Sequence, residues 1–435
     1  MIIVNAEDTD KVQLVLNGID ITSSSSAAIY VLQADKVFIT TAADSDNTLS
    51  NGGEYVAIDD NNIDSVIFAK SDLTLNGAGT LNINASSGHG IVSKDDLVIA
   101  SGNYSIISAS HGISGKDSVR IAGGTFDIAS GKDGIHSENA DDTSLGFVYI
   151  ADGNFNILSE GDGISAESYL IADNGTYEIQ SGGGSETVAE KAQSEERGFG
   201  GKAPGGNAPE AGTPGENPPE MGTSEGNAPE RGAQRANAPE EKEASDSQGQ
   251  NSNVQETTDT TEQSSDTTDS TTSTKGIKAG SDLTINGGTY NIDSADDALH
   301  SNANLTINGG SFEISTGDDG IHADSATTIT DGNINISESY EGIEGLSVDI
   351  TGGNISLVAN DDGINAAGGN DSSGFGGRGG DAFAATEGAY INISGGSIYV
   401  SASGDGIDSN GDITVTGGEI YVSGPTSGGD SALDY

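Results

Sequence analysis

The chain has 435 residues, with 68 Asp+Glu against 16 Lys+Arg for a formal net charge of −52, and it contains 65 Gly but no Cys and no Trp. Such acidity repels nucleic acid and anionic membranes and points to cations, so no nucleic-acid partner is expected. The lack of Cys excludes disulfides and thiolate zinc sites.

Hydrophobic residues make up only 33%, which is low for one compact core and close to a disordered composition unless the apolar positions recur regularly. They do recur, so most of the chain is expected to be ordered. No run of ~18 apolar residues is present, which predicts no transmembrane helix. The start, "MIIVNAEDTD", lacks the basic and apolar regions of a signal peptide. An exported protein would therefore have had its leader trimmed.

Residues 1–65 carry strand-like runs, "VQLVLNGIDI" and "AAIYVLQADKVFIT", in a poor repeat, as expected of N-terminal capping turns. From 66 to 181 a glycine recurs at Gly90, Gly112, Gly134 and Gly163, the first three 22 residues apart. It returns at Gly276, Gly320, Gly342, Gly363 and Gly406, with Ala298 in its place once. A fixed period of this size means a solenoid.

Within one repeat, "LTINGGTYNIDSADDALHS" (283–301), apolar and polar residues alternate. Leu283, Ile285, Tyr290, Ile292 and Leu299 would point inward, and Gly-Gly or Asp-Gly turns separate the strands. Three short strands per 22-residue turn predict an all-β fold, a right-handed single-stranded parallel β-helix whose turns stack ~4.8 Å apart. The interior columns would be Ile91, Ile113, Ile135, Ile164, Leu299, Ile321, Ile343, Ile364 and Ile407 in one, and Phe126, Phe155, Tyr177, Tyr290 and Phe312 in another.

Gly163 and Gly276 are 113 residues apart. The excess, 182–274, holds four Asn-x-Pro-Glu units and an acidic Ser/Thr tract, and nothing in it can fill a core. It reads as a disordered insertion, either a tolerated loop or a tether. The β-helix resumes over 275–435, with a loop insertion at 367–388. Long loops beside one face of such a fold frame a binding groove.

Directly before the repeat glycine stand His89, His111, Asp133, Asp162, Lys275, Asp297, Asp319, Glu341, Asp362 and Asp405. Two places after it stand His136, Ser165, Lys278, His300, His322, Glu344, Asn365 and Asp408. Asp296, Asp318 and Asp361 add a second acid in several turns. Flanking an inward isoleucine, these positions are expected to face outward and align from turn to turn. Two carboxylates ~5 Å apart repel by ~3 kcal/mol at an effective dielectric of 20.

A divalent cation between turns is the simplest remedy, and oxygen ligands suit Ca²⁺. The candidate ligands are Asp133, Asp162, Asp296, Asp297, Asp318, Asp319, Glu341, Glu344, Asp361, Asp362 and Asp405; a solvated acidic face is the alternative. His300 and His322, with Lys278, are candidates for hydrogen bonding to carbohydrate. "SGHGIVS" (87–93) resembles the Gly-His-Gly of polygalacturonases. Yet the Asp pair does not precede it and no Arg-Ile-Lys follows, so the match is a product of the repeat. A Ca²⁺-dependent pectate lyase also needs a basic residue as general base; Lys275 and Lys278 are the candidates.

The recurring "DDGIHA", "TINGGTYNI" and "LNGIDITSSSSAAIYV" resemble the carbohydrate-binding domain family of secreted, calcium-binding, pectate-lyase-like parallel β-helix proteins of anaerobic bacteria. The likeness covers nearly all of the chain outside 182–274. It implies a secreted or cell-surface location, Ca²⁺ on the acidic column, and binding of polysaccharide (polygalacturonate, a uronan, and cellulose, a glucan) without established catalysis. The chain departs from the pattern in its long insertion and in Lys275 and Lys278, where acids or His usually stand. A monomer is expected. The competing readings are a polysaccharide lyase and a Ca²⁺-stabilised surface spacer or adhesin.

Overall fold

The computed structural model describes residues 1–187, 273–366, 385–425 and 431–435. Among them are 38 strands, paired in parallel wherever registers are defined, in a 25-stranded and a 13-stranded sheet. Each coil contributes one strand to each of three columns. The larger sheet wraps two columns, and Ile321–Ile329 and Ile343–Ile350 run unbroken through the corner between them. This is the parallel β-helix that the repeat predicts. Among the described residues no helix is long and apolar enough to cross a membrane.

Period-2 alternation sets the core. Ile91, Ile113, Ile135, Ile164, Ile277, Leu299, Ile321, Ile343, Ile364 and Ile407 pair turn upon turn and are fully buried. In the smaller sheet, Tyr104, Phe126, Phe155, Tyr177, Tyr290 and Phe312 form one buried stack with centroids 4.5–5.2 Å apart. The ring spacing is the strand spacing, so register alone delivers offset stacking. Tyr104 extends the expected column by one turn. Its hydroxyl and those of Tyr177 and Tyr290 donate to carbonyls of Ser101, Asn174 and Gly287, so burying these phenols leaves no orphan polar group.

The repeat glycines answer to close packing rather than to a left-handed backbone. A Cβ on Gly320 would lie 2.6 Å from the Gly342 carbonyl oxygen and 2.6 Å from Ile336 Cδ1. Positive φ values fall elsewhere, among them at the second glycine of Gly-Gly turns such as Gly288 (+109°) and Gly310 (+114°), where a side chain would be strained.

The three columns run back through residues 1–65, where Ile2, Ile3 and Val4 pair with Ile29, Tyr30 and Val31. The long step after Gly163 leaves the register intact: Ile164 pairs with Ile277 and Leu170 with Leu283. Gly182–Thr187 still pack on the coil, with Ser185 N–H donating to Asp293 Oδ1 at 2.8 Å. Most of the expected 182–274 insertion, residues 188–272, lies outside the described residues, as do 367–384 of the 367–388 loop.

Candidate functional site

The corner column is a hydrogen-bond ladder. Asp133 Oδ1 accepts the Asp162 backbone N–H at 2.9 Å, and Asp162 Oδ1 accepts that of Lys275 at 2.8 Å. Asp297 serves Asp319, and Asp319 serves Glu341, each at 3.0 Å; Asp362 serves Asp405 at 2.6 Å. Where histidine stands in the column it does the same job. His89 Nδ1 accepts from His111 N–H at 3.3 Å, and His111 Nδ1 from Asp133 N–H at 3.2 Å. Burial, with the charges of His111 and Lys94, pushes His89 down to about 3, which keeps its ring neutral and able to accept. Asp and His thus both supply a backbone-directed acceptor at this position. Lys275 has none, and on that turn the Asp297 N–H donates instead to Asp296 Oδ1 at 3.0 Å.

The outward-facing placement expected for this column, and the solvated alternative, are not what the structure shows. Asp162, Lys275, Asp297, Asp319, Glu341 and Asp362 are buried, and so are His300, His322, Glu344 and Asn365 two places after the glycine. Stacked turns cover both positions, so the ladder's charges must be matched internally.

Two clusters do this with cations of the chain itself. Lys275 Nζ lies 2.9 Å from both Asp296 Oδ1 and Asp297 Oδ2, and His300 Nδ1 lies 2.7 Å from Asp297 Oδ2. Burial would raise Asp297, but the Lys275 charge and the His300 bond outweigh it and hold this carboxyl well below the usual range. One turn on, His322 Nδ1 sits 2.6 Å from Glu344 Oε2 and 3.3 Å from Asp319 Oδ2, with Nε2 3.2 Å from Asp324 Oδ1. Burial opposes its charge, yet the bonds to Asp319 and Glu344 push His322 up to about 12. Asp319 and Glu341 stay well above the ordinary range because burial is reinforced by neighbouring carboxylates.

Nearer the N-terminus His89, His111 and His136 stack at 5.0 and 4.5 Å. Burial would raise Asp133, but its bonds to His111 and His136 prevail and lower it. Asp162 is raised by burial and by the Asp133 charge.

Five groups among the described residues bring three His or acidic ligand atoms within 4.8 Å. In the group of Asp296, Asp297 and Asp318 the first two already hold the Lys275 ammonium, Asp319 and Glu344 flank the His322 imidazole, and two groups, those of His111 and His300, are rich in nitrogen. In the group of Asp362, Asp405 and Asp408 every donor is again a carboxylate oxygen, with Asp362 Oδ1 accepting the Asp405 N–H and Asp405 Oδ1 the Ser431 N–H. Beside them, Asn365 pairs in register with Asp408 and gives its Nδ2–H to Glu341 at 2.8 Å, which leaves its buried Oδ1 without a hydrogen-bond partner. Burial and the charges of Asp361, Asp408 and Asp405 push Asp362 up to about 7, against the Asp405 backbone bond. An all-oxygen set with an orphan carbonyl fits a hard cation such as Ca²⁺. Asp361 belongs to the same corner and accepts from the Tyr340 hydroxyl at 2.8 Å.

For the lyase candidates, Lys275 is 4% exposed and held by two carboxylates, which does not suit a general base. Lys278 is more open; its Nζ lies 3.3 Å from Ser273 Oγ and 3.9 Å from Asp162 Oδ2. His300 and His322 are buried, so neither reaches a saccharide on the surface.

Sequence reasoning missed Tyr399 and Tyr421, exposed at 55% and 48% and stacked at 4.6 Å. The signal was present: each directly follows an inward isoleucine, Ile398 or Ile420, so alternation sends it outward.

Fold and site together define a parallel β-helix with an acidic corner ladder. The chain belongs to the family of carbohydrate-binding domain-containing proteins, whose model matches residues 1–320 and 319–432. A carbohydrate-binding domain-containing protein of Acetivibrio thermocellus is 39% identical over 95 residues, 21% of this chain and 33% of that protein. The chain therefore matches about a third of the curated relative's length. Among solved structures, the gadolinium derivative of a polysaccharide lyase-like protein from C. thermocellum is similar at 35% identity, over 40% of this chain and 71% of that one, with a TM-score of 0.39.

Proposed function

We propose that this protein binds acidic plant cell-wall polysaccharide of the polygalacturonate type in a Ca²⁺-dependent, non-catalytic manner, as a secreted or cell-surface module. The observation that carries the reading is the Asp362, Asp405 and Asp408 cluster with the orphan Asn365 oxygen. A chain of net charge −52 repels a polyuronate unless a divalent cation bridges the two sets of carboxylates. Asp362, Asp405, Asp408 and Asn365 would hold the ion, and Ca²⁺ would supply the positive charge that uronate carboxylates need. Asp362 and Asp405 each have one oxygen on a backbone N–H, so the second oxygen of each would face the ion, while Asp297 and Asp319 stay with Lys275 and His322.

Titration with CaCl₂ is expected to raise the melting temperature, by the equivalent of ~2.7 kcal/mol at a hundredfold excess over Kd. Asp408→Asn should weaken Ca²⁺ binding by about tenfold or more, the scale of one lost charged ligand. Affinity electrophoresis in polygalacturonate gels should show retardation that EDTA abolishes; retardation that survives EDTA would overturn the mechanism. A melting temperature that rises with Ca²⁺ while the gels show no retardation would favour the structural spacer. The lyase reading now rests on Lys278, and unsaturated-product absorbance from polygalacturonate with Ca²⁺ at pH 8–9 would establish it.

A further inference from the structure

The outer face of the 13-stranded sheet carries a column of long polar side chains, one per turn. Asp127, Asn156, Glu178, Asn291, Glu313 and Asn335 follow one another in register. They bond in pairs: Asn156 to Asp127 at 2.9 Å, Asn291 to Glu178 at 2.6 Å and Asn335 to Glu313 at 2.6 Å. The next two turns break the pattern, with Ser356 and then Tyr399. Tyr421 stacks on one face of the Tyr399 ring. The other face looks toward Ser356, whose side chain is too short to cover it.

The result is a notch of about 330 Å³, lined by Glu313, Asn335, Asn354, Ser356, Ser397 and Tyr399 among others. Two turn spacings, ~9.6 Å, separate the Asn335 and Tyr399 positions. That gap admits one saturated ring at ~4 Å contact from the aromatic face and within ~3 Å hydrogen-bonding distance of the amide on the far side.

The geometry points to a binding subsite here for a neutral pyranose ring of a polysaccharide, stacked on Tyr399 and hydrogen-bonded by Asn335 and Glu313. It rests on the polysaccharide-binding reading above but not on its cation. An exposed tyrosine face offers apolar contact to the C–H face of a sugar with little conformational cost. Asn335 and Glu313 line the notch; their mutual bond uses Asn335 Nδ2 and Glu313 Oε2, so Asn335 Oδ1 and Glu313 Oε1 are the acceptors for sugar hydroxyls. Among the described residues, the only charged group lining the notch is the Glu313 carboxylate, which disfavours a uronate and selects a neutral sugar.

The test uses the full chain in EDTA with three neutral probes, cellohexaose, xylohexaose and mannohexaose, and separately polygalacturonate with Ca²⁺. Wild type should bind at least one neutral probe in EDTA. Tyr399→Ala should weaken that binding tenfold or more. Ser356→Tyr, which fills the notch on an exposed strand, should abolish it, while the melting temperatures of both variants stay close to wild type. Polygalacturonate binding with Ca²⁺ should be unchanged in both, so failure at one site leaves the other legible. Absence of binding to all three neutral probes overturns the inference. So does wild-type affinity in Tyr399→Ala, or parallel loss of polygalacturonate binding in the two variants.

Discussion

Replacing His322 with Ala is expected to destabilise the protein by ~3–5 kcal/mol, the cost of stranding buried charge without its partner. The imidazole is fully buried and stands between Glu344 Oε2 at 2.6 Å and Asp319 Oδ2 at 3.3 Å. Without it Asp319, Glu341 and Glu344 would face one another across successive turns. The same charges set a pH dependence. His322 is raised to about 12, from an ordinary value near 6.5. Its contribution is therefore complete below pH ~6.5 and is lost as pH climbs toward the folded value.

Asp319 and Glu341, also raised, act in the same direction, because ionising them in the folded state is costly. In EDTA, wild type should unfold at a higher urea concentration at pH 6 than at pH 9. In His322→Ala the midpoint should drop at both, with a shallower fall above pH ~6.5. A variant with the wild-type midpoint at pH 6 would mean that the ion pairs contribute nothing.

Lys275→Met should cost a similar ~3–5 kcal/mol, because Asp297 is fully buried and its Oδ2 accepts from both Lys275 and His300. The informative comparison is the double variant Lys275→Met/Asp297→Asn. The Asn carbonyl can still accept the Asp319 N–H, and no net charge is left buried, so much of the loss should return. Urea unfolding of the four proteins of this cycle gives the coupling directly. Little coupling would show that Lys275 is not the counter-charge of Asp297. A chemical role for Lys275 would instead show as lost turnover with stability intact.

The fold was legible because stacking in register turns one coil's alternation into columns, and columns repeat in sequence. Gly90, Gly112 and Gly134, each followed by Ile, fix the period; Phe126, Phe155 and Tyr177 fix a second face. The character of the corner was harder to read. Alternation places Asp319 beside the inward Ile321, separated by Gly320, and says nothing about what lies over it. Its burial and its bond to the Glu341 N–H depend on the turn above. The sequence did contain a clue, in that His89, His111 and Asp133 interchange at one position. They share little beyond an acceptor atom, which indicates a backbone donor as the partner before it indicates a metal. Tyr399 was readable from Ile398, but its value depends on Ser356, 43 positions away, being small.

The described residues hold to the coil as far as Thr187 and again from Ser273, whose hydroxyl donates to Asp162 Oδ1 at 2.7 Å. Between those points the stack neither slips nor twists out of step, since Tyr177 meets Tyr290 as closely as any other pair in its column. The corner at Asp162 therefore behaves as a docking port of arbitrary capacity. Loop-closure cost grows only logarithmically with length, so segments of very different size can be exchanged there without rewriting the scaffold. For a protein built of repeating steps, diversity is most cheaply acquired in such a connection, while the stacked faces of the coil are left untouched.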